Sequence, residues 1–289
     1  MPGRLGLLIQ SLWNGKAYIV DKLYAKKSLG QNFLIDQNVL MRISDIVNIT
    51  PDDRILEIGP GKGAMTDLLA QKSKHVVAVE LDKRLVSHLR EMFRQSENVE
   101  VVEGDILQTD LLQLLGERWT GKWKVAANLP YNISSQVLFK FMDNRTCFSE
   151  LVLMLQKEVG ERLVAKPSCK EYGILSVFCG LYFDISRELL VRPGSFRPVP
   201  KVDSLVLKFR VLDTPRVDVG DEMFFRTVVK GAFAKRRKTL WNCIRSAFPY
   251  INEKTLELVF RQCGIDPRRR GETLSLDEFA LLGKALSRP

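Results

Sequence analysis

Short apolar runs alternate with amphipathic segments through the N-terminal half of the chain. The apolar runs have the length of strands and occupy residues 54–58, 75–79, 99–102 and 123–127. Between the first two runs, residues 64–71 place Met65, Leu68 and Leu69 on one face of a helix. A buried strand, a glycine-containing loop and a helix, in that order, open a doubly wound α/β domain. The pattern therefore predicts parallel strands whose carboxyl ends share one edge, where ligands of such sheets bind.

The loop after the first run has the composition of a nucleotide-binding turn. Gly59-Pro60-Gly61-Lys62-Gly63 follows the strand directly, and glycine permits positive φ and a close approach of ligand to backbone. The spacing is not the G-x-G-x-x-G of dinucleotide-binding proteins, and the loop lacks the Gly-Lys-Ser/Thr ending of a P-loop. Gly59 and Gly61 are therefore candidates for contact with a different kind of nucleotide cofactor.

Two acidic residues fall where the next strands are predicted to end. Glu80 lies 21 positions after Gly59, a spacing at which an acid accepts the ribose hydroxyls of an adenosine cofactor. Asp105 follows the third run and is placed to accept the adenine amine of that cofactor. Each acid also has a plainer interpretation, because Glu80 alone suits a solvated strand end and Asp105 alone suits a turn cap.

The fourth run ends in Asn128-Leu129-Pro130-Tyr131, whose groups suit an amino-bearing base. The Asn128 side-chain oxygen can accept one N–H of an exocyclic amine. Pro130 has no N–H and fixes the turn, so that the Leu129 carbonyl can accept the second N–H. The Tyr131 ring offers a stacking face. An ordinary turn is the alternative, but the glycine loop, the two acids and this tetrad together favour an S-adenosylmethionine-dependent amino methyltransferase.

Positive charge concentrates in the last third of the chain. The formal net charge is +10, and from residue 190 onwards 20 Lys and Arg stand against 11 Asp and Glu. The densest clusters are Lys235, Arg236, Arg237 and Lys238, and Arg268, Arg269 and Arg270. The first cluster lies within an apolar pattern of helical spacing, which predicts an amphipathic helix with basic residues on its open face. We interpret both clusters as phosphate contacts to a polyanion, in preference to a solvated charged face.

Cysteine usage and hydropathy indicate a reduced, intracellular protein. The five cysteines form no C-x-x-C pair, which favours a cytoplasmic chain over a disulfide framework or a zinc site. Residues 5–13 are apolar but too short to span a bilayer, and they lack a clear cleavage pattern. We therefore expect no metal and no membrane association. Residues 1–25 are an N-terminal extension of unclear role.

Beyond these features, the chain resembles the ribosomal RNA adenine N6,N6-dimethyltransferases of the bacterial small subunit. The resemblance extends from about residue 26 to about residue 279 and rests on seven motifs in order. They are KSLGQNFL at 27–34, EIGPG at 57–61, VELD at 79–82, NLPYNIS at 128–134, LQKEV at 155–159, FRPVPKVDS at 196–204 and GIDP at 264–267.

This resemblance implies both an architecture and roles for particular residues. Residues 26–211 are expected to form a Rossmann-like class I methyltransferase domain, with a seven-stranded, mostly parallel sheet that ends in a strand at 204–210. Residues 216–289 are expected to form a small, basic, all-helical RNA-binding domain, and the chain is expected to be a monomer. The residues implied to bind S-adenosylmethionine are Asn32, Leu34, Gly59, Gly61, Glu80, Asp105 and Asn128. Those implied to hold the flipped adenine are Asn128, Leu129, Pro130, Tyr131 and Phe196, with the base clamped between the two rings.

The implied activity is dimethylation of N6 on two adjacent adenosines in a hairpin near the 3′ end of 16S rRNA, during small-subunit biogenesis. One alternative is a 23S rRNA methyltransferase of the macrolide-resistance type, which shares the fold. Leu129, where those enzymes are expected to have Ile, and Asp203 in the sequence Lys-Val-Asp-Ser favour the small subunit. A second alternative is a non-catalytic ribosome-assembly or nucleic-acid-binding factor. The intact loop and tetrad argue against it, because a pure binding protein needs neither.

Overall fold

The structure, a computed structural model, describes residues 11–13, 16–18, 23–116 and 118–287. The strands in chain order are β1 (Ser11–Trp13), β2 (Lys16–Tyr18), β3 (Phe33–Leu34), β4 (Arg54–Ile58), β5 (His75–Glu80), β6 (Val99–Glu103), β7 (Trp123–Asn128), β8 (Phe148–Gln156), β9 (Phe183–Val191), β10 (Phe196–Arg197) and β11 (Ser204–Val211). The α-helices are α1 (Gln37–Val47), α2 (Ala64–Ala70), α3 (Lys83–Met92), α4 (Leu111–Gly116), α5 (Ser134–Asp143), α6 (Lys157–Leu163), α7 (Ile174–Tyr182), α8 (Glu222–Ala232), α9 (Leu240–Ala247), α10 (Glu253–Cys263) and α11 (Leu276–Leu286).

Seven of these strands form the central sheet, in the order β6-β5-β4-β7-β8-β11-β9. Five neighbouring strands, β6, β5, β4, β7 and β8, run parallel to one another. Strand β11 pairs antiparallel with both β8 and β9. The predicted Rossmann-like, mostly parallel seven-stranded sheet is therefore confirmed. The carboxyl ends of β4, β5, β6 and β7 lie at one edge, which brings together the four sequence features that follow these strands.

The sheet is covered on both faces, which explains the almost continuous apolar runs of its parallel strands. Successive side chains of β4 alternate between faces. Ile55 packs with Leu40 of α1 and Leu69 of α2 in one buried cluster. Leu56 belongs to a larger cluster on the opposite face, together with residues of α5 and α7.

The larger cluster continues without a break into the C-terminal helices. Phe225 of α8 and Phe279 of α11 belong to it, as do Phe178 of α7 and Leu56 of the sheet. The rings of Phe178 and Phe225 have their centroids 6.3 Å apart. The C-terminal helices therefore pack on the central sheet through a shared core.

The predicted helix through the first basic cluster is wrong. Helix α8 ends at Ala232 and α9 begins at Leu240, so Lys235–Lys238 lie in the loop between them. Thr239 sets the start of α9, because its side chain accepts a hydrogen bond from the Asn242 backbone N–H and caps the helix. The basic side chains are thereby placed on an exposed turn.

At the N-terminus, β1 and β2 pair as a short antiparallel ladder. The rest of the predicted extension at 1–25, apart from residues 23–25, lies outside the described residues.

Candidate active site

The glycine loop between β4 and α2 has the conformation that its composition predicts. Gly59 and Gly61 have φ values of +66° and +60°, in the left-handed region that side chains other than glycine rarely adopt. A Cβ at Gly61 would lie 3.1 Å from Cδ1 of Phe33, whereas one at Gly59 would meet its nearest atom, the Asn128 carbonyl oxygen, at 3.8 Å. The Phe33 ring therefore lies directly against the loop. Together they form part of the wall of a cavity of about 410 Å³.

Glu80 is nearly buried beside this loop, with a relative exposure of 6%. Its Oε2 accepts a hydrogen bond from the Gly61 N–H at 3.2 Å, and its Oε1 accepts one from the Asp82 N–H at 2.9 Å. Burial raises the pKa of Glu80, and these backbone donors act in the opposite direction. Because a carboxylate has about four acceptor positions, the Glu80 side chain keeps capacity for two hydroxyl donors.

Asp105 both caps a turn and lines the cavity. Its Oδ1 accepts from the Leu107 N–H at 2.9 Å, and its Oδ2 accepts from Gln108 Nε2 at 3.0 Å. It follows β6 and lies among the lining residues with Glu80. The two sequence interpretations of Asp105 are therefore compatible with each other.

Asn128 ends β7, and a single contact fixes the orientation of its amide. Its Nδ2 donates to the backbone carbonyl of Asn32 at 3.2 Å, which settles which end of the amide is the nitrogen. Leu129 is tied to the sheet through its N–H, which donates to the Met154 carbonyl at 3.2 Å. Among the described residues, none donates a hydrogen bond to Asn128 Oδ1 or to the Leu129 carbonyl. Asn128 Oδ1 and the Leu129 carbonyl oxygen, at the edge of the cavity, can therefore each accept a hydrogen bond from a ligand.

A segment before α1 forms another side of the cavity. This N-terminal strap (residues 26–36) contributes lining residues along most of its length. One end is held by Asp82, whose side chain is fully buried. Asp82 accepts from Lys26 Nζ at 3.1 Å and from Gln31 Nε2 at 3.3 Å, and Arg84 Nη2 donates to it at 2.7 Å. Asp82 was not predicted as a site residue, because its contacts to Lys26 and Gln31 span 56 and 51 positions of the chain.

The other end of the strap is held by a short ribbon. Strand β3 pairs antiparallel with β10, which places Leu34 opposite Phe196. The Ile35 N–H donates to the Ser195 carbonyl at 2.9 Å, and the Ser195 hydroxyl donates to Asp36 Oδ2 at 3.0 Å. The strap therefore connects Asn32 and Leu34, both predicted to contact the cofactor, to the loop that contains Phe196.

The rings of Tyr131 and Phe196, which are predicted to clamp the flipped base, lie in different environments. Tyr131 is partly buried, lines the cavity, and has its hydroxyl 3.1 Å from Ser204 Oγ. Phe196 is 0% exposed and packs in the cluster between the sheet and α1, so in this structure its ring does not line the cavity. The structure thus brings Tyr131, but not Phe196, to the site, because β10 turns the Phe196 side chain inward.

Glu57 was not predicted as a site residue, although it lines the same cavity. Its side chain is 0% exposed, and neither carboxyl oxygen has a hydrogen-bond partner among the described residues. Burial raises the pKa of Glu57 to about 8. An acid in the middle of a buried parallel strand was the available sequence signal, because such strands are otherwise apolar.

The two predicted basic clusters lie side by side. The Leu240 N–H donates to the Arg269 carbonyl at 2.6 Å, which joins the loop containing Lys235–Lys238 to the loop containing Arg268–Arg270. Three members are engaged in ion pairs: Arg236 with Glu272, Arg268 with Asp266, and Arg269 with Glu278. The exposed members without an ion pair among the described residues are Lys235, Arg237, Lys238 and Arg270.

The described residues contain no group of three or more His, Cys, Asp or Glu side chains placed to hold a metal ion. All five cysteines are free thiols. No helix within the described ranges is long and apolar enough to cross a membrane.

A doubly wound sheet, with a glycine loop, strand-end acids and a closing Asn-Leu-Pro-Tyr at one edge, defines a class I methyltransferase that acts on an amine. Residues 22–286 match the model of the family described as ribosomal RNA adenine dimethylase. The chain belongs to this family, as its motifs predicted.

Named relatives and solved structures agree with this assignment. The "Ribosomal RNA small subunit methyltransferase A" of Geobacter metallireducens is 62% identical over 266 residues, which cover 92% of this chain and 97% of that protein. The protein of the same name from Syntrophotalea carbinolica is 49% identical over 261 residues, which cover 90% of this chain and 96% of that protein. A dimethyladenosine transferase from Plasmodium falciparum superimposes with a TM-score of 0.75 at 26% identity, over 86% of this chain and 95% of that one. The 23S rRNA methyltransferase ErmE shares the fold, with a TM-score of 0.66 at 23% identity, over 89% of this chain and 100% of that one.

Proposed function

We propose that this protein uses S-adenosylmethionine to dimethylate N6 of two adjacent adenosines in a hairpin near the 3′ end of 16S rRNA. It acts as a monomer in the cytoplasm, during biogenesis of the small ribosomal subunit. The names of the relatives at 62% and 49% identity, both small-subunit methyltransferases, support the choice of subunit. The observation that carries the chemistry is the pair of unengaged acceptors, Asn128 Oδ1 and the Leu129 carbonyl, beside a nucleotide-sized cavity.

The residues of the cavity fit S-adenosylmethionine. Its volume of about 410 Å³ falls in the range of small-molecule sites. Glu80 would hold the ribose hydroxyls and Asp105 the adenine amine, while Gly59 and Gly61 let the backbone approach the rest of the molecule. The buried Glu57 carboxyl, without a protein partner, is the kind of group that a positively charged ligand satisfies. When bound, S-adenosylmethionine supplies a methyl group that its sulfonium makes electrophilic.

Asn128 and Leu129 would prepare the target amine for attack. The lone pair of an adenine N6 is delocalised into the ring, so the amine is a poor nucleophile. If both N–H groups donate to Asn128 Oδ1 and the Leu129 carbonyl, the nitrogen moves toward a tetrahedral shape and the lone pair becomes available. Asn32 holds the Asn128 amide in the required orientation before the base arrives, so no reorganisation is needed during transfer.

Tyr131 would provide the face on which the flipped base stacks, and this stacking offsets part of the cost of removing it from the RNA. The Tyr131 hydroxyl contact to Ser204 holds the ring from the β11 side. Phe196 would supply the second face only after its ring leaves the buried cluster, because it is 0% exposed here. Its part in the clamp therefore requires a movement of β10.

The exposed basic residues would bind the RNA backbone. Lys235, Arg237, Lys238 and Arg270 form the unpaired part of the surface built by the two joined loops. The Arg236 guanidinium donates to the Lys170 carbonyl at 2.7 Å, which attaches this surface to an exposed loop of the methyltransferase domain. Phosphate contacts of this kind position RNA without reading its sequence and weaken steeply with salt.

A methyl-transfer assay tests the proposal. Labelled S-adenosylmethionine would be incubated with small and with large ribosomal subunits from cells that lack the modification, followed by nucleoside analysis. Dimethyladenosine in the small-subunit RNA alone is the expected result. Label in the large subunit would move the assignment to the ErmE type of activity, and tight RNA binding without label would favour the non-catalytic factor.

A further inference from the structure

The buried carboxyl of Glu57 accepts no hydrogen bond from the described residues. It lies on β4, and its neighbours in register are Ala78 on β5 and Ala126 on β7. Neither alanine side chain can donate a hydrogen bond. The Thr66 hydroxyl on α2 is also buried and lies close enough to Glu57 to lower the pKa of the carboxyl, but the two side chains do not meet in hydrogen-bond geometry. A fully buried acid is costly unless a donor or a cation satisfies it, so this side chain indicates a ligand in the cavity that it lines.

The charged groups around Glu57 determine its protonation. Three charged groups line the same cavity: Glu80 at the end of β5, Asp105 after β6 and Lys62 in the glycine loop. Burial is the main reason that the pKa of Glu57 rises to about 8, and the charge of Glu80 raises it further, while the Thr66 hydroxyl lowers it. Without a bound cation, the Glu57 carboxyl therefore holds a proton at neutral pH.

We propose that Glu57 recognises the positive charge of the cofactor and releases its proton to solvent when the sulfonium form binds. This inference rests on the proposed use of S-adenosylmethionine. The sulfonium form carries one more positive charge than S-adenosylhomocysteine, whose sulfur is neutral. When the product replaces the substrate form, Glu57 loses that compensating charge and takes a proton back from solvent. Glu57 is thus a specificity residue that favours the methyl donor over the spent product.

The magnitude follows from the burial of the carboxyl. Charges that share a cavity with little water interact more strongly than charges at a surface. If the donor binds the ionised carboxyl and the product binds the protonated one, their affinity ratio changes by up to about tenfold per pH unit below pH 8. At pH 7, a carboxyl whose pKa is raised to about 8 is mostly protonated, so donor binding releases up to one proton from this group.

Isothermal titration in two buffers of different ionisation enthalpy measures this proton release directly. Wild type should release more protons with S-adenosylmethionine than with S-adenosylhomocysteine, and Glu57→Gln should remove most of that difference. The α-amino group of either ligand also titrates near pH 8, so the comparison between variants is the decisive one. Glu103→Gln is the matched control, because Glu103 ends β6 outside the cavity lining and pairs with Lys83 at 3.3 Å.

One further readout uses wild type alone and keeps the inference testable if Glu57→Gln folds poorly. In wild type, the ratio of dissociation constants for product and donor should rise from pH 6 to pH 8, and a flat ratio overturns the inference. In a folded Glu57→Gln variant, that ratio should be lower than in wild type at pH 8 and should no longer follow the titration of this carboxyl, whereas an equal loss of affinity for both ligands assigns Glu57 a purely structural role. If wild type binds neither ligand, the proposed cofactor is wrong, which is a different result from binding without charge preference.

Discussion

Asp82→Asn is expected to release one end of the N-terminal strap while keeping the start of α3. Asn and Asp both cap helices well, and Asp82 accepts from the Arg84 N–H at the start of α3, so the cap survives. The charge is lost, and with it the ion pairs to Lys26 at 3.1 Å and to Arg84 at 2.7 Å.

The size of the effect depends on burial. Hydrogen bonds to charged groups contribute about 1.5–3 kcal/mol each when the groups are shielded from water. The Asp82 side chain is 0% exposed, but those of Lys26 and Arg84 are 43% and 41% exposed, so solvent screens each pair. Each contribution then falls to about 1 kcal/mol, and we expect a total loss of about 2 kcal/mol in the free energy of unfolding.

The effect should also depend on pH. Hydrogen bonds from Arg84 first, and from Lys26 and Gln31 next, hold the pKa of Asp82 well below its usual range. A carboxyl with a depressed pKa stabilises the fold at pH values above its unfolded pKa, and that contribution is lost as the pH falls through the folded pKa. The difference in stability between wild type and variant should therefore be complete at pH 7 and shrink below about pH 4.

Urea unfolding measures the stability, and hydrogen exchange of residues 26–36 measures release of the strap. Asp45→Asn is the matched control, because Lys72 pairs with Asp45 at the same 3.1 Å but the Asp45 side chain is 72% exposed. The control should lose less than about 0.5 kcal/mol and leave exchange in the strap unchanged. Equal losses in the two variants, or an Asp82→Asn protein with unchanged strap exchange, would refute the reasoning.

Three other variants test the proposed site and the proposed RNA-binding surface. Asn128→Ala should lower kcat about 100- to 1000-fold, because one preorganised acceptor for the amine is lost, while cofactor affinity stays within a few-fold in a binding titration; an unchanged kcat contradicts this role. Glu80→Ala should weaken S-adenosylmethionine binding at least about tenfold by loss of two hydroxyl acceptors, and an unaltered dissociation constant removes Glu80 from the ribose site. Replacing Lys235, Arg237 and Lys238 together by Gln should lower RNA affinity. It should also reduce the slope of log affinity against log salt concentration by about 2–3, measured from binding at several salt concentrations. If affinity and slope both stay the same, these residues form only a solvated face.

The strand-end features were predictable because they follow from local sequence and one rule of topology. The glycine spacing requires positive φ at Gly59 and Gly61, and the apolar runs place Glu80, Asp105 and Asn128 at the ends of successive strands. Parallel strands then bring these ends to one edge without any knowledge of long-range contacts. The fold and the cavity wall were accessible from the sequence for this reason.

Other parts of the site depend on contacts between distant residues, which no local pattern encodes. The pairing of Leu34 with Phe196 joins segments 162 positions apart and turns the Phe196 ring into the core. The unpartnered state of Glu57 depends on the two alanines that flank it across the sheet. The basic cluster was misassigned to a helix because the apolar spacing continues past it, whereas the cap at Thr239 restarts the helix.

The shared core between the sheet and the C-terminal helices has a consequence for how the enzyme selects its site. Phe178 and Phe225 pack within one continuous apolar cluster, and the Tyr182 hydroxyl donates to Glu222 at 2.8 Å across the same boundary. The basic loops are therefore held at a constant distance from the cavity. A flexible linker between the two parts would let this distance vary. An RNA must match that distance between its bound phosphates and its exposed adenine, so the length of a helical stem can discriminate between substrates even where no base is read.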